Sequence, residues 1–217
     1  MVKIYYQDNE IVVCEKPYGI SSQKSLGKSL VELLGEELGC EIYPVHRLDT
    51  QTTGLIVYAK TKESAGILSK EISEGNFSKK YLIVCHGELS SEGEMHDFLF
   101  HDKLKNKSFV KKSKTASAKS ASLEYKLICT KCGEECEILS LALVKLHTGR
   151  THQIRVQFAS RGFALYGDGK YGAKDNDKIA LHSTELRFKH PKTKKMLEFS
   201  SNPEGKIWEL FKSETEK

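Results

Sequence analysis

The 217-residue sequence lacks several features, and each absence narrows its class. No stretch approaches the about 18 consecutive apolar residues of a membrane-spanning helix. The start, Met1-Val2-Lys3-Ile4-Tyr5-Tyr6-Gln7-Asp8, has no apolar core of the kind a secretory signal carries. There are only four prolines, no Gly/Ser linker and no internal repeat, so nothing marks a boundary, and one domain over residues 1–217 is expected. Between Lys103 and Lys119 there is no acid at all, against seven lysines. Taking those seven from 34 basic residues leaves 27 against 29 acidic ones, so the formal net charge of +5 is concentrated in one segment.

Cysteine is present six times, but its spacing is incomplete for a structural metal site. Only Cys129 and Cys132 form a C-x-x-C pair, with Cys136 nearby, whereas structural zinc takes four ligands, usually as two spaced pairs. No metal is expected, and free thiols with no export signal suggest a reducing cytoplasm.

The remaining sequence reads as many short strands with a few helices. Ile4–Tyr6 and Ile11–Cys14 flank a polar turn, and Lys16-Pro17-Tyr18-Gly19 interrupts the run. Leu30, Val31, Leu33, Leu34 and Leu38 follow a helical period, ended by Gly39. A buried strand is expected over 54–59, a helix over 63–72, and a strand over 79–87. Residues 101–120 read as an exposed basic loop or hairpin. Strands over 123–128 and 136–146 are expected to join through a turn at 130–135. A helix is expected over 151–161 with Thr151 as N-cap, then strands near 179–188 and 196–199 and a short helix over 205–212. Regular βαβ alternation is absent, which points to α+β with a mixed or largely antiparallel sheet.

Two segments can carry chemistry. The first is His46-Arg47-Leu48-Asp49-Thr50-Gln51-Thr52-Thr53-Gly54, a carboxylate among bases and hydroxyls just before an apolar strand. Taken locally, Asp49 can equally be an Asx-turn residue that caps backbone amides. The second is Leu146-His147-Thr148-Gly149-Arg150-Thr151-His152-Gln153-Ile154-Arg155. A helix starting at Thr151 puts His152 and Arg155 on one face, aiming a guanidinium at a carboxylate and holding it ionised. Locally, a solvated helix start explains the same charges.

In order along the chain, these segments resemble the RluA-type RNA pseudouridine synthases. The likeness opens at Lys16-Pro17-Tyr18-Gly19, similar to that family's Lys-Pro-x-Gly. It continues through His46-Arg47-Leu48-Asp49-x-x-Thr52-Thr53-Gly54-Leu55, Lys80-Tyr81-x-x-x-Val84-x-x-Gly87 and Leu146-x-Thr148-Gly149-Arg150-x-His152-Gln153-Ile154-Arg155-Val156. It closes with Gly167-Asp168-x-x-Tyr171-Gly172, Leu181-His182 and Phe188-x-His190-Pro191. Thr53 stands for the usual serine, Gln157 for a common histidine and Ser183 for a common alanine.

The resemblance implies a pseudouridine synthase fold with a catalytic cleft across its middle, no cofactor, and isomerisation of uridine in ribosomal or transfer RNA. It implies Asp49 as the catalytic aspartate and Arg47 as the arginine that displaces the flipped uridine. It implies Tyr81 as the ring packing on the base, and Arg155 as the partner of the aspartate. Arg150 and His152 are assigned to structure or RNA contact. Lys111, Lys112 and Lys114 suit phosphates, and Phe109 can stack on a base. A structured RNA is the expected partner of a monomer without an obligate protein partner. Since the first motif lies close to Met1, no N-terminal S4-type module is expected. Two other classes compete. A silent RNA-binding module on the same fold would have lost Asp49, Tyr81 or Arg155. A hydrolase would need metal-binding acids or a phosphate loop near Asp49.

Overall fold

The computed structural model describes residues 1–25, 27–133 and 136–215. It falls into two compact units, Met1–Lys79 with His182–Pro203, and Lys80–Leu181 with Glu204–Lys217. The class is the α+β expected, with a mixed sheet in the first unit and an antiparallel one in the second.

The first unit begins with the expected hairpin, β1 (Ile4–Gln7) and β2 (Ile11–Lys16). Asp8 makes the turn by accepting from the Glu10 and Ile11 amides. Helix α1 (Leu30–Leu38) starts at a full capping box, with Ser29 and Glu32 satisfying each other's amides, and stops at Gly39, whose φ of 64° only glycine adopts at little cost. β3 (Tyr43–Pro44) pairs with the far end of β4 (Thr53–Ala59). Helix α2 (Lys62–Ser73) is capped by Thr61. The strand order continues from β2 and β4 to β10 (Leu181–Lys189) and β11 (Met196–Ser200). Among the described pairings of this unit, β4–β10 alone is parallel.

β4 reads as an unbroken apolar run because both of its faces are buried. Leu55, Val57 and Ala59 join Ile11, Val13, Leu68, Phe77, Leu186 and Phe188 in one cluster, while Ile56 and Tyr58 are buried on the opposite side. Phe77 stacks on Phe188 at 4.9 Å.

The second unit is a five-stranded antiparallel sheet in the order β5 (Ser78–His86), β9 (Ile138–Leu146), β8 (Lys119–Cys132), β6 (Glu92–Asp102), β7 (Lys107–Lys111). Leu82, Val84, Leu139 and Leu141 pack under Ile207 and Trp208 of the one-turn helix α4 (Lys206–Glu209) and under Phe211, which precedes α5 (Lys212–Thr215). The helix expected over 205–212 is therefore two single turns. A smaller cluster of Leu99, Ala121 and Val156 lies where α3 (Gln153–Ala159) packs on β6 and β7.

Two sequence expectations change, one resolves between its alternatives and one stretch gains an element. β6 lies in a stretch left unassigned. Its buried Met95 and Leu99 share a strand face at a spacing of four, which also fits a helix. The 101–120 segment is mostly hairpin: β6 runs to Asp102, β7 returns, and β8 already begins at Lys119. β9 starts at Ile138 rather than at Cys136, and part of the expected 130–135 turn lies outside the described residues. Finally, α3 begins at Gln153, not after a Thr151 cap. His152 is its N-cap, in the left-handed region at φ 55°, and no side chain caps it. No described helix is long and apolar enough to cross a membrane.

Candidate active site

Asp49 sits in a tight turn whose two flanks are anchored. Leu48 is buried, and Ser22 Oγ donates to its carbonyl (2.8 Å) while accepting from its amide (3.1 Å). Ser22 is itself held, since the buried Tyr58 hydroxyl donates to its carbonyl at 2.8 Å. On the other side, Thr50 O accepts from Gly19 N (2.9 Å) and from Lys16 Nζ (3.0 Å). Thr52 N closes the turn onto Asp49 O at 3.0 Å. The turn hydrogen bond thus uses the Asp49 backbone carbonyl, and the half-buried residue carrying the carboxylate is fixed from both sides. Arg47, two positions earlier on the same loop, is exposed.

Lys16 is the unusual group here. It is fully buried, and its ammonium donates to the carbonyls of Pro17, Ile20 and Thr50 at 2.7, 2.8 and 3.0 Å. All three donors of the ammonium are used. Burial pulls its pKa down to about 8, opposed by the negative charge of Asp49. By reciprocity, Lys16 is a cation that favours the ionised form of Asp49.

The end of the loop is set by the β4–β10 contact. Gly54 has φ 103°, and a Cβ there would lie 2.3 Å from the Ser183 carbonyl oxygen, so no other residue fits. Next to it, Thr53 Oγ1 and His182 Nδ1 lie 2.8 Å apart, and His182 Nε2 is 2.9 Å from Ser201 Oγ. Burial pushes the His182 pKa down to about 4, so the imidazole joins two hydroxyls as a neutral ring. The hydroxyl of Thr53 is thus used, as a serine's would be.

In the second unit, Tyr81 is buried on β5, paired with Val144 of β9. Arg155 is buried on α3 and forks onto Asp168, with Nε to Oδ2 at 2.7 Å and Nη2 to Oδ1 at 2.8 Å. Both partners are almost wholly inaccessible, at 2% and 0%. Such a bidentate pair fixes the guanidinium plane. The guanidinium also lies 5.1 Å from the centre of the Tyr171 ring.

Tyr171 connects this pair to the basic hairpin. Its hydroxyl accepts from Ser108 N (2.8 Å) and lies 3.0 Å from His152 Nδ1, and Ser108 Oγ donates to Thr151 O at 2.6 Å. His152 is therefore a buried support under β7. Its left-handed N-cap position lies outside the helix, yet its ring and the Arg155 guanidinium both reach Tyr171, and the residue is only 8% exposed. Burial, then the Arg155 charge, push its pKa down to about 3. Arg150 is exposed, its Nε donating to Ser120 O at 2.9 Å. Lys111, Lys112 and Lys114 are exposed. Among the described residues no group of three or more potential ligands is placed to hold a metal.

Residues 10–160 match the model of the RNA pseudouridylate synthase family. The chain belongs to this family. Its members are isomerases that convert uridine in RNA to pseudouridine. The chain is 31% identical over 219 residues to the ribosomal large subunit pseudouridine synthase C of Buchnera aphidicola, covering 89% of itself and 65% of that protein. It is 28% identical over 235 residues to the tRNA pseudouridine synthase C of Vibrio vulnificus, covering 96% of itself and 93% of that protein. Two further curated relatives are longer, and the chain spans 66% and 68% of their lengths. The human RNA pseudouridylate synthase domain containing 1 shares the fold, with a TM-score of 0.80 at 21% identity, over 97% of this chain and 86% of that one.

The family motifs had named Lys16, Asp168 and Tyr171 without giving them work. Lys16 anchors and charges the Asp49 turn, Asp168 fixes Arg155, and Tyr171 ties α3 to the hairpin. Ser22 and Tyr58 lay outside every motif. Nothing in a single sequence marks a serine whose contribution is to hold a neighbouring loop's backbone.

Proposed function

We propose that this chain isomerises a uridine of ribosomal or transfer RNA to pseudouridine, with Asp49 as the essential carboxylate. The observation that carries this reading is the anchored turn: Leu48 and Thr50 are tied down on either side of Asp49, and a buried ammonium favours its ionised form. A carboxylate acting on a sugar–base bond must be ionised and positioned.

The reaction breaks the N1–C1′ bond, turns the base and forms a C5–C1′ bond. Asp49 serves as nucleophile or as counter-charge to a sugar-centred cation. As an isomerisation it consumes no redox equivalent and no energy source, and so calls for no cofactor. The target base must leave its stack, which costs a few kcal/mol and is offset in the pocket. Tyr81 is assigned to pack on the flipped base, Arg47 to take its vacated place, and Arg155, held flat by Asp168, to supply fixed positive charge. Arg150, Lys111, Lys112 and Lys114 are assigned to phosphates, with His152 as support beneath them. The enzyme is proposed to work as a cytoplasmic monomer. The RNA class follows from its relatives, one named for tRNA and another for the large ribosomal subunit.

The test is Asp49→Asn and Asp49→Ala. Both should fold and bind RNA with near-native affinity while pseudouridine formation falls below detection. Substantial product from either would refute the central role of Asp49. Mapping pseudouridines in ribosomal and transfer RNA from cells with and without the protein identifies the substrate.

A further inference from the structure

The tip of the β6–β7 hairpin carries an apolar side chain that the fold makes no use of. Leu104 is fully exposed. A single exposed leucine is ordinary on a protein surface, and the other large apolar residues described as exposed are Met1 at the N-terminus, together with Ile128, Ile138 and Met196, which are only 40–48% exposed. Two further observations set Leu104 apart.

The first is that its turn is built. Asp102 Oδ1 accepts from both Leu104 N (3.0 Å) and Lys105 N (3.1 Å), an Asx turn that fixes the backbone at the leucine. Asn106 takes the left-handed region at φ 44°, which asparagine tolerates better than most residues. The turn is then tied to the 3-10 segment Gly169–Tyr171: Lys170 Nζ donates to Asn106 O (3.0 Å), and Lys107 Nζ donates to Lys170 O (2.6 Å). Lys107 also lies over the Tyr171 ring at 5.1 Å. The tip is therefore held by four named bonds and a cation–π contact, and its one apolar side chain stays in water.

The second is charge. Lys103 and Lys105 flank Leu104 and are exposed, and the next acid in the sequence after Asp102 is Glu124. The cations on either side of Leu104 match a polyphosphate backbone, and the family to which the chain belongs acts on RNA. An apolar side chain rigidly presented between phosphate-binding cations is the arrangement that wedges between stacked bases.

We propose that Leu104 is an apolar wedge that inserts between nucleobases of the bound RNA, while Lys103 and Lys105 hold the flanking phosphates. This rests on the reading that the chain acts on RNA, and it adds a residue that selects sites where the bases separate easily. Insertion needs one face of a base step to open, so flexible loops or bulges are favoured over continuous helix.

Because Leu104 packs against nothing in the fold, its replacement leaves stability untouched, and the test is clean. The probe is a hairpin RNA oligonucleotide with 2-aminopurine scanned through its loop, together with bulk tRNA and ribosomal RNA for activity. Wild-type protein should raise 2-aminopurine fluorescence at one or two adjacent loop positions. Leu104→Ser should abolish that rise and lower kcat/KM about five- to tenfold, with an unchanged salt dependence of binding; Leu104→Met should restore both. Lys103→Gln with Lys105→Gln should do the converse, reducing the salt slope by about 1 to 2 while keeping a fluorescence rise at saturation. Wild-type activity with Leu104→Ser indistinguishable in fluorescence and kcat/KM overturns the wedge alone. If the wild type neither binds the hairpin nor modifies bulk RNA, the functional reading fails instead. Binding of Leu104 to a protein, shown by a partner lost on Leu104→Ser while RNA kinetics are unchanged, also overturns the wedge.

Discussion

Among the described residues, each of the two units fully buries one lysine or arginine, and they treat it differently. In the first, Lys16 is sealed among three neutral carbonyls and its pKa is pulled down to about 8. In the second, Arg155 is sealed against a full counter-charge, Asp168, through two hydrogen bonds. The lysine is thus a compact charge in a site that only partly compensates it, which leaves it responsive to the nearby Asp49. The arginine is locked into one plane and does not titrate. A third set, the lysines of the 103–119 segment, is mostly exposed and screened by water. One kind of charge is used for response, one for rigidity and one for attraction at a distance.

The ion pair gives the largest effect. Asp168→Ala strands a buried guanidinium and should cost about 3–5 kcal/mol of folding stability, measured by urea denaturation. Replacing both partners by apolar residues, Arg155→Met with Asp168→Leu, should recover much of that stability but not activity. A single variant as stable as wild type would show that the pair is not sealed as described.

Lys16→Met should be milder for the fold and severe for the reaction. It removes a donor to three carbonyls and the cation beside Asp49. An expected fall of about a hundredfold in kcat, roughly 2–3 kcal/mol, is in line with the loss of one fixed charge at a reacting centre. RNA affinity, measured separately, should change little. Equal losses in affinity and kcat would assign Lys16 to general folding rather than to the Asp49 turn.

This contrast also marks what the sequence could show. β4 and the β1–β2 hairpin were legible because their apolar period and turn residues are local. The Asp49 turn was singled out by its place in an ordered set of motifs. Asp168 as a partner of Arg155 was not, because an aspartate thirteen positions away carries no periodic signal. The start of α3 was misread because Thr151 is a good cap by type, while the chain instead bends left-handed at His152 to meet Tyr171. β6 escaped because two apolar residues four apart fit either period.

The exposed lysines should give a smaller effect with a different signature. Lys111→Glu, Lys112→Glu and Lys114→Glu together should weaken RNA binding about tenfold or more at moderate salt. They should also flatten the dependence of log K on log salt by about 2. Thermal stability should be unaffected, since all three side chains are exposed. Unchanged RNA affinity at moderate salt would remove this segment from the interface.

The smallest effect is the one that separates Lys16 from Arg155 most directly, because only Lys16 titrates. Its folded pKa is about 8, below the ordinary 10.5, so between these values the folded chain holds fewer protons than the unfolded one. Stability from this group therefore rises as pH climbs through that window, and the cost of burying the charge is fully present below pH 8. From pH 7 to 9 the gain is on the order of 1 kcal/mol. Activity should move the opposite way, since the neutral amine no longer supports the ionised Asp49 and can offer only two donors to three carbonyls. Other groups titrate in this range as well, so the quantity to measure is the difference between wild type and Lys16→Met in denaturation midpoint and in kcat, from pH 7 to 9. The stability difference should shift towards the wild type while its kcat advantage shrinks. Two flat differences would mean that Lys16 keeps its proton throughout and that its charge is as fixed as that of Arg155.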